Sequence, residues 1–136
     1  QRRKQIRKAV AAGLIVYGEV GSKETLSNPG LLIGQAEICF EAGAALVLVE
    51  AAELVRKGKL IHKTIGLLTR SLDMSRVMIE LPGPWISDVR SCDIEDMKKA
   101  LVHALGPDVN LANVPPASII DTEATRTGLG TAGPLK

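Results

Sequence analysis

Residues 46–50 read Leu46-Val47-Leu48-Val49-Glu50, a run of four apolar residues that ends in a carboxylate. The run does not alternate between apolar and polar residues, which is typical of a strand buried on both faces of a parallel sheet. Similar runs occupy residues 13–19, 77–80 and 109–113, of which the last is more polar. Each run ends in a carboxylate or an amide, so the sequence predicts four strands with a polar residue at each carboxyl end.

The segments between these runs carry helix signals. Successive strand ends lie about 31 residues apart, which is the length of one strand, one helix and two loops. Asn28 and Asp93 are predicted N-caps, and Gly106 is a predicted stop signal. The predicted helices span residues 28–42, 60–72, 93–105 and 118–127, and residues 1–12 form the expected end of an earlier helix.

This alternation of strands and helices predicts an α/β fold with a parallel sheet. A closed barrel of eight strands typically needs about 250 residues, so a chain of 136 residues supplies half of one. An open, doubly wound sheet has the same periodicity, although no Gly-x-Gly-x-x-Gly loop follows the first predicted strand. The periodicity alone leaves both architectures open.

The composition argues against several classes of function. The net charge is only +2 and there are three aromatic residues, so neither nucleic acid nor an anionic membrane is an expected partner. No run approaches 18 apolar residues, which argues against a membrane span. Cys39 and Cys92 lie far apart without metal-ligand spacing, which favours a reducing, cytoplasmic compartment. The basic first residues lack both a Met and a signal-peptide pattern, so we expect the chain to begin inside a larger protein.

Polar side chains at the predicted strand ends are candidates for a site, because parallel α/β sheets place their sites there. Glu19, Glu50, Glu80 and Asn113 occupy this position, one on each strand. Three carboxylates at one edge suit Mg²⁺, which prefers hard oxygen ligands. The alternative is that some of them pair with nearby basic side chains or cap the next helix.

Basic residues near the strand ends are further candidates. Lys23 follows the first predicted strand, where a lysine can neutralise a phosphate or carboxylate or transfer a proton, although a solvated loop lysine is the simpler alternative. Arg126 and Gly128 follow the fourth strand, where barrels often bind phosphate on backbone amides. A flexible tail explains the glycine equally well. His62 and His103 have helix positions that indicate structural roles, and no nucleophile with a partner base can be assembled.

At these strand ends the sequence resembles the phosphosulfolactate synthase family of coenzyme M biosynthesis. The most specific matches are Glu19-Val20-Gly21-Ser22-Lys23 and Val109-Asn110-Leu111-Ala112-Asn113. Further matches, in the same order along the chain, are residues 41–44 leading into 46–50, residues 77–80 followed by Pro82, and Ile120, Glu123, Arg126 and Gly128-Leu129. The resemblance covers nearly the whole chain.

The resemblance implies a (β/α)8 TIM barrel, of which residues 1–136 would form a single partial domain. This domain would be the C-terminal half with the last four βα units, and the N-terminal half would be absent. The resemblance also implies a Mg²⁺-dependent lyase that adds sulfite to phosphoenolpyruvate and gives (2R)-phospho-3-sulfolactate. By the same resemblance, Lys23 and Glu19 would be catalytic, Glu50 and Glu80 would bind the metal, and Asn113, Arg126 and Gly128 would bind substrate.

One segment departs from the family pattern. Residues 51–55 read Ala-Ala-Glu-Leu-Val where the family has a Gly-Arg-Glu-Ser-Gly-like stretch, so Glu53 is retained and the arginine is not. This difference leaves two alternatives open: a non-catalytic relative that resembles the plant heat-stress-associated proteins, and a barrel enzyme for another phosphate substrate. A half barrel also exposes unpaired strand edges, so we expect a homo-oligomer.

Overall fold

A main sheet of four strands, a short hairpin and five helices make up residues 1–22, 25–83 and 89–129, which this computed structural model describes. In chain order the elements are α1 (Arg2–Ala11), β1 (Tyr17–Val20), α2 (Pro29–Glu41), β2 (Leu46–Glu50), β3 (Val55–Arg56), β4 (Lys59–Leu60), α3 (His62–Ser71), β5 (Val77–Glu80), α4 (Ser91–Leu105), β6 (Asn110–Ala112) and α5 (Ile119–Arg126). The predicted repeat of strand and helix is therefore present.

The main sheet has the strand order β1-β2-β5-β6, and all of its pairs are parallel. This order follows the order along the chain, without the reversal that marks a doubly wound sheet. Crossovers between parallel strands are almost always right-handed, so a sheet with this order carries its connecting helices on one face. This is the arrangement of part of a (β/α)8 barrel, and it confirms the predicted fold class.

The two faces of the main sheet differ in burial. One face consists of alternate apolar residues without exposed surface, namely Val47, Val49, Val77 and Ile79. These residues belong to one core cluster together with buried side chains of α2, α3 and α4. The opposite face carries Leu48 and Met78, which are only partly buried, and the glutamates at the strand ends. The helices therefore cover the apolar face and leave the glutamate face open.

A glycine sets the distance between β1 and α2. A Cβ on Gly18 would lie 2.8 Å from both Cβ and Sγ of Cys39, closer than real carbon contacts allow. Cys39 has no exposed surface, and burial raises the pKa of its thiol. The strand and the helix can therefore pack at this distance only because residue 18 has no side chain.

The first strand is shorter than the sequence predicts. The apolar run begins at residue 13, but β1 begins at Tyr17. Gly13 has a φ of +81°, and the N–H groups of Gly13 and Leu14 donate to carbonyl groups in the last turn of α1. Gly13 and Leu14 therefore cap the C-terminal end of α1 and do not join the sheet.

The start of α4 also differs from the prediction that Asp93 is its N-cap. Arg90 is the N-cap, and Asp93 is the third residue of the helix. The Asp93 carboxylate accepts the Arg90 N–H at 3.0 Å and pairs with the guanidinium through both oxygens, which lowers the pKa of the Asp93 carboxyl. Asp93 therefore stabilises the start of α4 as the N3 residue of a capping box with Arg90.

A hairpin that the periodicity does not predict follows β2. Its strands, β3 and β4, are antiparallel and are joined by Lys57 and Gly58. Both residues have a positive φ, of 49° and 70°, as a two-residue hairpin turn of the primed type requires. The connection from β2 to α3 is therefore ordered by local turn chemistry.

The helices are short compared with a bilayer. The longest in the described ranges is α4, with 15 residues. Within those ranges, no helix combines the length and the apolar character that crossing a membrane requires.

We expect Gly18→Ala to lower the free energy of unfolding by about 1–3 kcal/mol, because the added methyl overpacks the contact with Cys39. Gly34→Ala is the matched control, since Gly34 lies within α2 and nothing stands within 4 Å of a Cβ added there. The control is expected to stabilise, because alanine is favoured over glycine in helices by about 1 kcal/mol. Urea denaturation followed by circular dichroism measures both changes. Equal effects of the two substitutions would contradict the close packing of β1 on α2.

Candidate metal-binding site

Three glutamates meet at the carboxyl edge of the main sheet. Glu50 and Glu80 are direct partners in the register of β2 and β5, and Glu19 is the partner of Leu48 on the same face. One oxygen of each glutamate can be chosen so that all three oxygens lie within 4.8 Å of one another. The structure therefore brings together the carboxylates of Glu19, Glu50 and Glu80, which are called the metal cluster below.

The members of the metal cluster differ in exposure and in partners. Glu19 is exposed, Glu80 is partly buried, and Glu50 is only 4% exposed. Glu80 Oε2 is itself buried and has no hydrogen-bond partner within the part of the chain that the structure describes. A buried carboxylate oxygen without a donor is unfavourable. A bound cation would satisfy this oxygen.

Asn113 orients Glu80. It follows β6 with a left-handed φ of 62°, a conformation that asparagine adopts more readily than most residues. Its amide nitrogen donates to Glu80 Oε1 at 3.2 Å and to the Leu81 carbonyl at 3.0 Å. The amide N–H groups of Asn113 are thus engaged with the protein, and its amide oxygen remains as an acceptor.

The donor set of the metal cluster fits a hard divalent cation. Carboxylate oxygens are the ligands that Mg²⁺ and Ca²⁺ prefer. With Mg²⁺–oxygen distances of about 2.1 Å, ligands on opposite sides of one ion are about 4.2 Å apart. This distance is close to the 4.8 Å within which the three oxygens lie. Small side-chain rotations would bring them into one coordination sphere, with water in the remaining positions.

A fourth glutamate, Glu53, lies beside the metal cluster and has different partners. It belongs to the turn Ala51–Glu53 after β2, and only 1% of its surface is exposed. Its Oε1 accepts from the Ser22 N–H at 2.9 Å and from Ser27 Oγ at 2.6 Å, and its Oε2 accepts from the Ser27 N–H at 2.9 Å. The sequence alone predicts no role for Glu53 beyond its match to the family. The one feature of the sequence that could have indicated a role is its position three residues after Glu50, just past the end of the same strand.

The described start of the loop between β1 and α2 packs against the end of β2 and the turn after it. Gly21 has a φ of +100°, and a Cβ placed on it would lie 3.2 Å from the Cβ of Glu50 and 2.9 Å from the Cγ of Glu53. Lys23 belongs to the same loop in the sequence, but it lies outside the described residues. Its catalytic role therefore stays a prediction.

Arg126 and Gly128 lie at the opposite end of the sheet from the metal cluster, where the amino ends of the strands are. Arg126 Nη1 donates to the carbonyl of Val109 at 2.8 Å and to that of Pro107, and its Nε lies 3.2 Å from Glu123 Oε1. Val109 immediately precedes β6, so these contacts are at the amino end of the strand. The structure does not bring Arg126 or Gly128 to the metal cluster, because α5 runs back from the carboxyl edge. Their substrate-binding role stays a prediction.

Comparison with known proteins finds relatives over nearly the whole chain. The family model described as ComA, (2R)-phospho-3-sulfolactate synthase, matches residues 1–131. A curated phosphosulfolactate synthase of Methanothermobacter thermautotrophicus is 30% identical over an alignment 135 residues long, and the match covers 91% of this chain and 48% of the relative. The chain therefore spans about half the length of this relative.

We expect Glu80→Gln to raise the dissociation constant for Mg²⁺ by about 10–100-fold. The substitution removes one charge from the metal cluster and keeps an oxygen that can accept from Asn113. Titration calorimetry on the metal-free protein measures this constant. Glu37→Gln, on the exposed face of α2, is the matched control and should leave it unchanged. Equal affinities of the two variants would contradict a role of Glu80 as a metal ligand.

Proposed function

Because this chain belongs to the (2R)-phospho-3-sulfolactate synthase (ComA) family, we propose that it forms the metal-binding part of an enzyme that adds sulfite to phosphoenolpyruvate. The product would be (2R)-phospho-3-sulfolactate, in coenzyme M biosynthesis. The observation that best supports this proposal is the metal cluster of Glu19, Glu50 and Glu80, with its buried and unpartnered Glu80 oxygen. We propose Mg²⁺ as the ion.

This reaction makes three demands on a site. The sulfur of sulfite attacks the terminal carbon of phosphoenolpyruvate, and the new carbon–sulfur bond sends the electron pair of the double bond toward the substrate carboxylate. A proton then adds to the carbon that bears the phosphate, so the addition needs no oxidant and releases no leaving group. The site must therefore hold two anions, stabilise charge on the carboxylate and deliver one proton.

The side chains of this chain can divide these tasks. Glu50 and Glu80 would hold Mg²⁺, which stabilises the negative charge that develops on the substrate carboxylate. Asn113 fixes the direction of Glu80 through the hydrogen bond to its Oε1. Glu19 is exposed and would position water or a proton at the open edge. Lys23 would neutralise the substrate carboxylate or protonate the adjacent carbon.

The test uses the full-length protein that contains this chain. We expect a sulfonated product, detected by mass spectrometry, only when phosphoenolpyruvate, sulfite and Mg²⁺ are all present. Lys23→Ala is expected to lower the turnover rate by about 100-fold or more, as the loss of a general acid does. Lys63→Ala, at an exposed position of α3, is the matched control and should retain the activity.

If no product forms in this assay, binding measurements distinguish the alternative functions. A folded protein that makes no sulfite-dependent product would contradict the proposal. If that protein still bound phosphoenolpyruvate and Mg²⁺, the result would favour a barrel enzyme that acts on another phosphate substrate. If it bound neither, a non-catalytic relative would be favoured, in agreement with the missing arginine in residues 51–55.

We also propose that further strands complete the open face of the main sheet. In the described sheet, β1 and β6 each have a neighbour on one side only. Tyr17 shares the face of Glu19 and is 57% exposed. In the chain of 136 residues by itself, a second copy would pair with both edges and cover this face, as the predicted homo-oligomer requires.

We expect the chain of 136 residues, produced by itself, to be a dimer or a larger assembly in light scattering. Tyr17→Lys is expected to shift it toward the monomer, because it places a charge on the face that must be covered. Ile120→Lys is the control, since Ile120 is 82% exposed on α5 and away from that face. A stable monomer of the unaltered chain would contradict this assembly.

A further inference from the structure

We propose that Glu53 is a positioning residue, which fixes the two described ends of the loop between β1 and α2, at Ser22 and Ser27, beside Glu50. Glu53 would act through this loop and not by contact with the substrate. The proposal rests on the proposed function only in its kinetic part. Its structural part stands on the contacts of Glu53 with Ser22 and Ser27.

The carboxylate of Glu53 joins both ends of the loop to the end of β2. Ser22 is the second residue after β1, and Ser27 immediately precedes Asn28, the N-cap of α2. Glu53 accepts the backbone N–H of both serines at 2.9 Å and the hydroxyl of Ser27 at 2.6 Å. A single side chain therefore fixes where the loop leaves the sheet and where it enters the helix.

These contacts require a carboxylate. Glu53 is 1% exposed, and a buried charge is unfavourable unless hydrogen-bond donors surround it. Three donors share its two oxygens, and hydrogen bonds to an ionised acceptor are stronger than those between neutral groups. In Glu53→Gln, an amide NH₂ group would replace one oxygen and face a donor of Ser22 or Ser27. At least one contact would then be lost.

The described start of the loop packs against the segment that carries Glu50 and Glu53. A Cβ on Gly21 would lie 2.9 Å from Glu53 Cγ and 3.2 Å from Glu50 Cβ, so the backbone there packs against both glutamates. Glu50 ends β2 and is the N-cap of the turn that contains Glu53. The side chain that would bind the ion and the side chain that holds the loop therefore lie on one short, buried turn.

Hydrogen exchange followed by mass spectrometry tests the structural part. We expect Glu53→Gln to speed the exchange of the Ser22 or Ser27 amide by about ten-fold or more, because the acceptor of that N–H is weakened. Amides of β5 serve as an internal reference and should not change. Glu37→Gln is the matched control. Ser27→Ala, which removes only the hydroxyl donor, is a milder second variant with a smaller expected effect, and it serves if Glu53→Gln does not fold.

Kinetics of the full-length protein test the functional part. We expect Glu53→Gln to lower kcat per folded molecule by about ten-fold, while the dissociation constant for Mg²⁺ changes less than about two-fold. A purely structural role would reduce the amount of folded protein and leave kcat per folded molecule unchanged.

The two tests fail independently. Equal exchange of the Ser22 and Ser27 amides in Glu53→Gln and Glu37→Gln would overturn the proposal, even in an active enzyme. An unaltered protein without sulfite-dependent product would contradict the proposed function, and the exchange result would still decide whether Glu53 holds the loop.

Discussion

The parallel pairing of β2 with β5 is the constraint on which both the core and the site depend. This register sets Glu50 opposite Glu80 and Val49 opposite Ile79. Because side chains alternate along a strand, a slip of one residue in either strand would turn its glutamate toward the helices and its apolar residues toward the open face. Burial of the apolar residues therefore favours the one register in which the carboxylates can meet.

The end of β2 links this register to the loop that precedes α2. The main sheet is held by backbone hydrogen bonds, whereas the described loop residues Ser22 and Ser27 are held by the side chain of Glu53. Glu50 and Glu53 are separated by one turn, so the position of the loop follows from the position of β2. Gly21 completes the link, since any larger residue would push the loop away from both glutamates.

The sequence allows the fold to be predicted where the signals are local. Apolar runs with polar ends indicate β2 and β5 at their observed bounds, and Asn28-Pro29 marks the start of α2. Contacts between distant residues are not predictable in this way. Glu53 and Ser27 are 26 positions apart, so no local pattern reveals their hydrogen bonds. Arg126 follows the fourth strand in sequence, yet the eight residues of α5 carry it back to the amino edge.

Residues 51–55, which depart from the family pattern, combine packing positions with the residue that positions the loop. In residues 51–55, Ala51 and Leu54 have no exposed surface and Val55 has 2%, so these three positions are used for packing, whereas Ala52 is only partly buried. The Leu54 carbonyl also accepts the Ile61 N–H at 2.8 Å, which anchors the hairpin of β3 and β4. The hydrogen bonds that the Glu53 carboxylate accepts come from Ser22 and Ser27 of the loop. The contacts that hold the loop therefore come from Glu53, whereas Ala51, Leu54 and Val55 around it pack in the core.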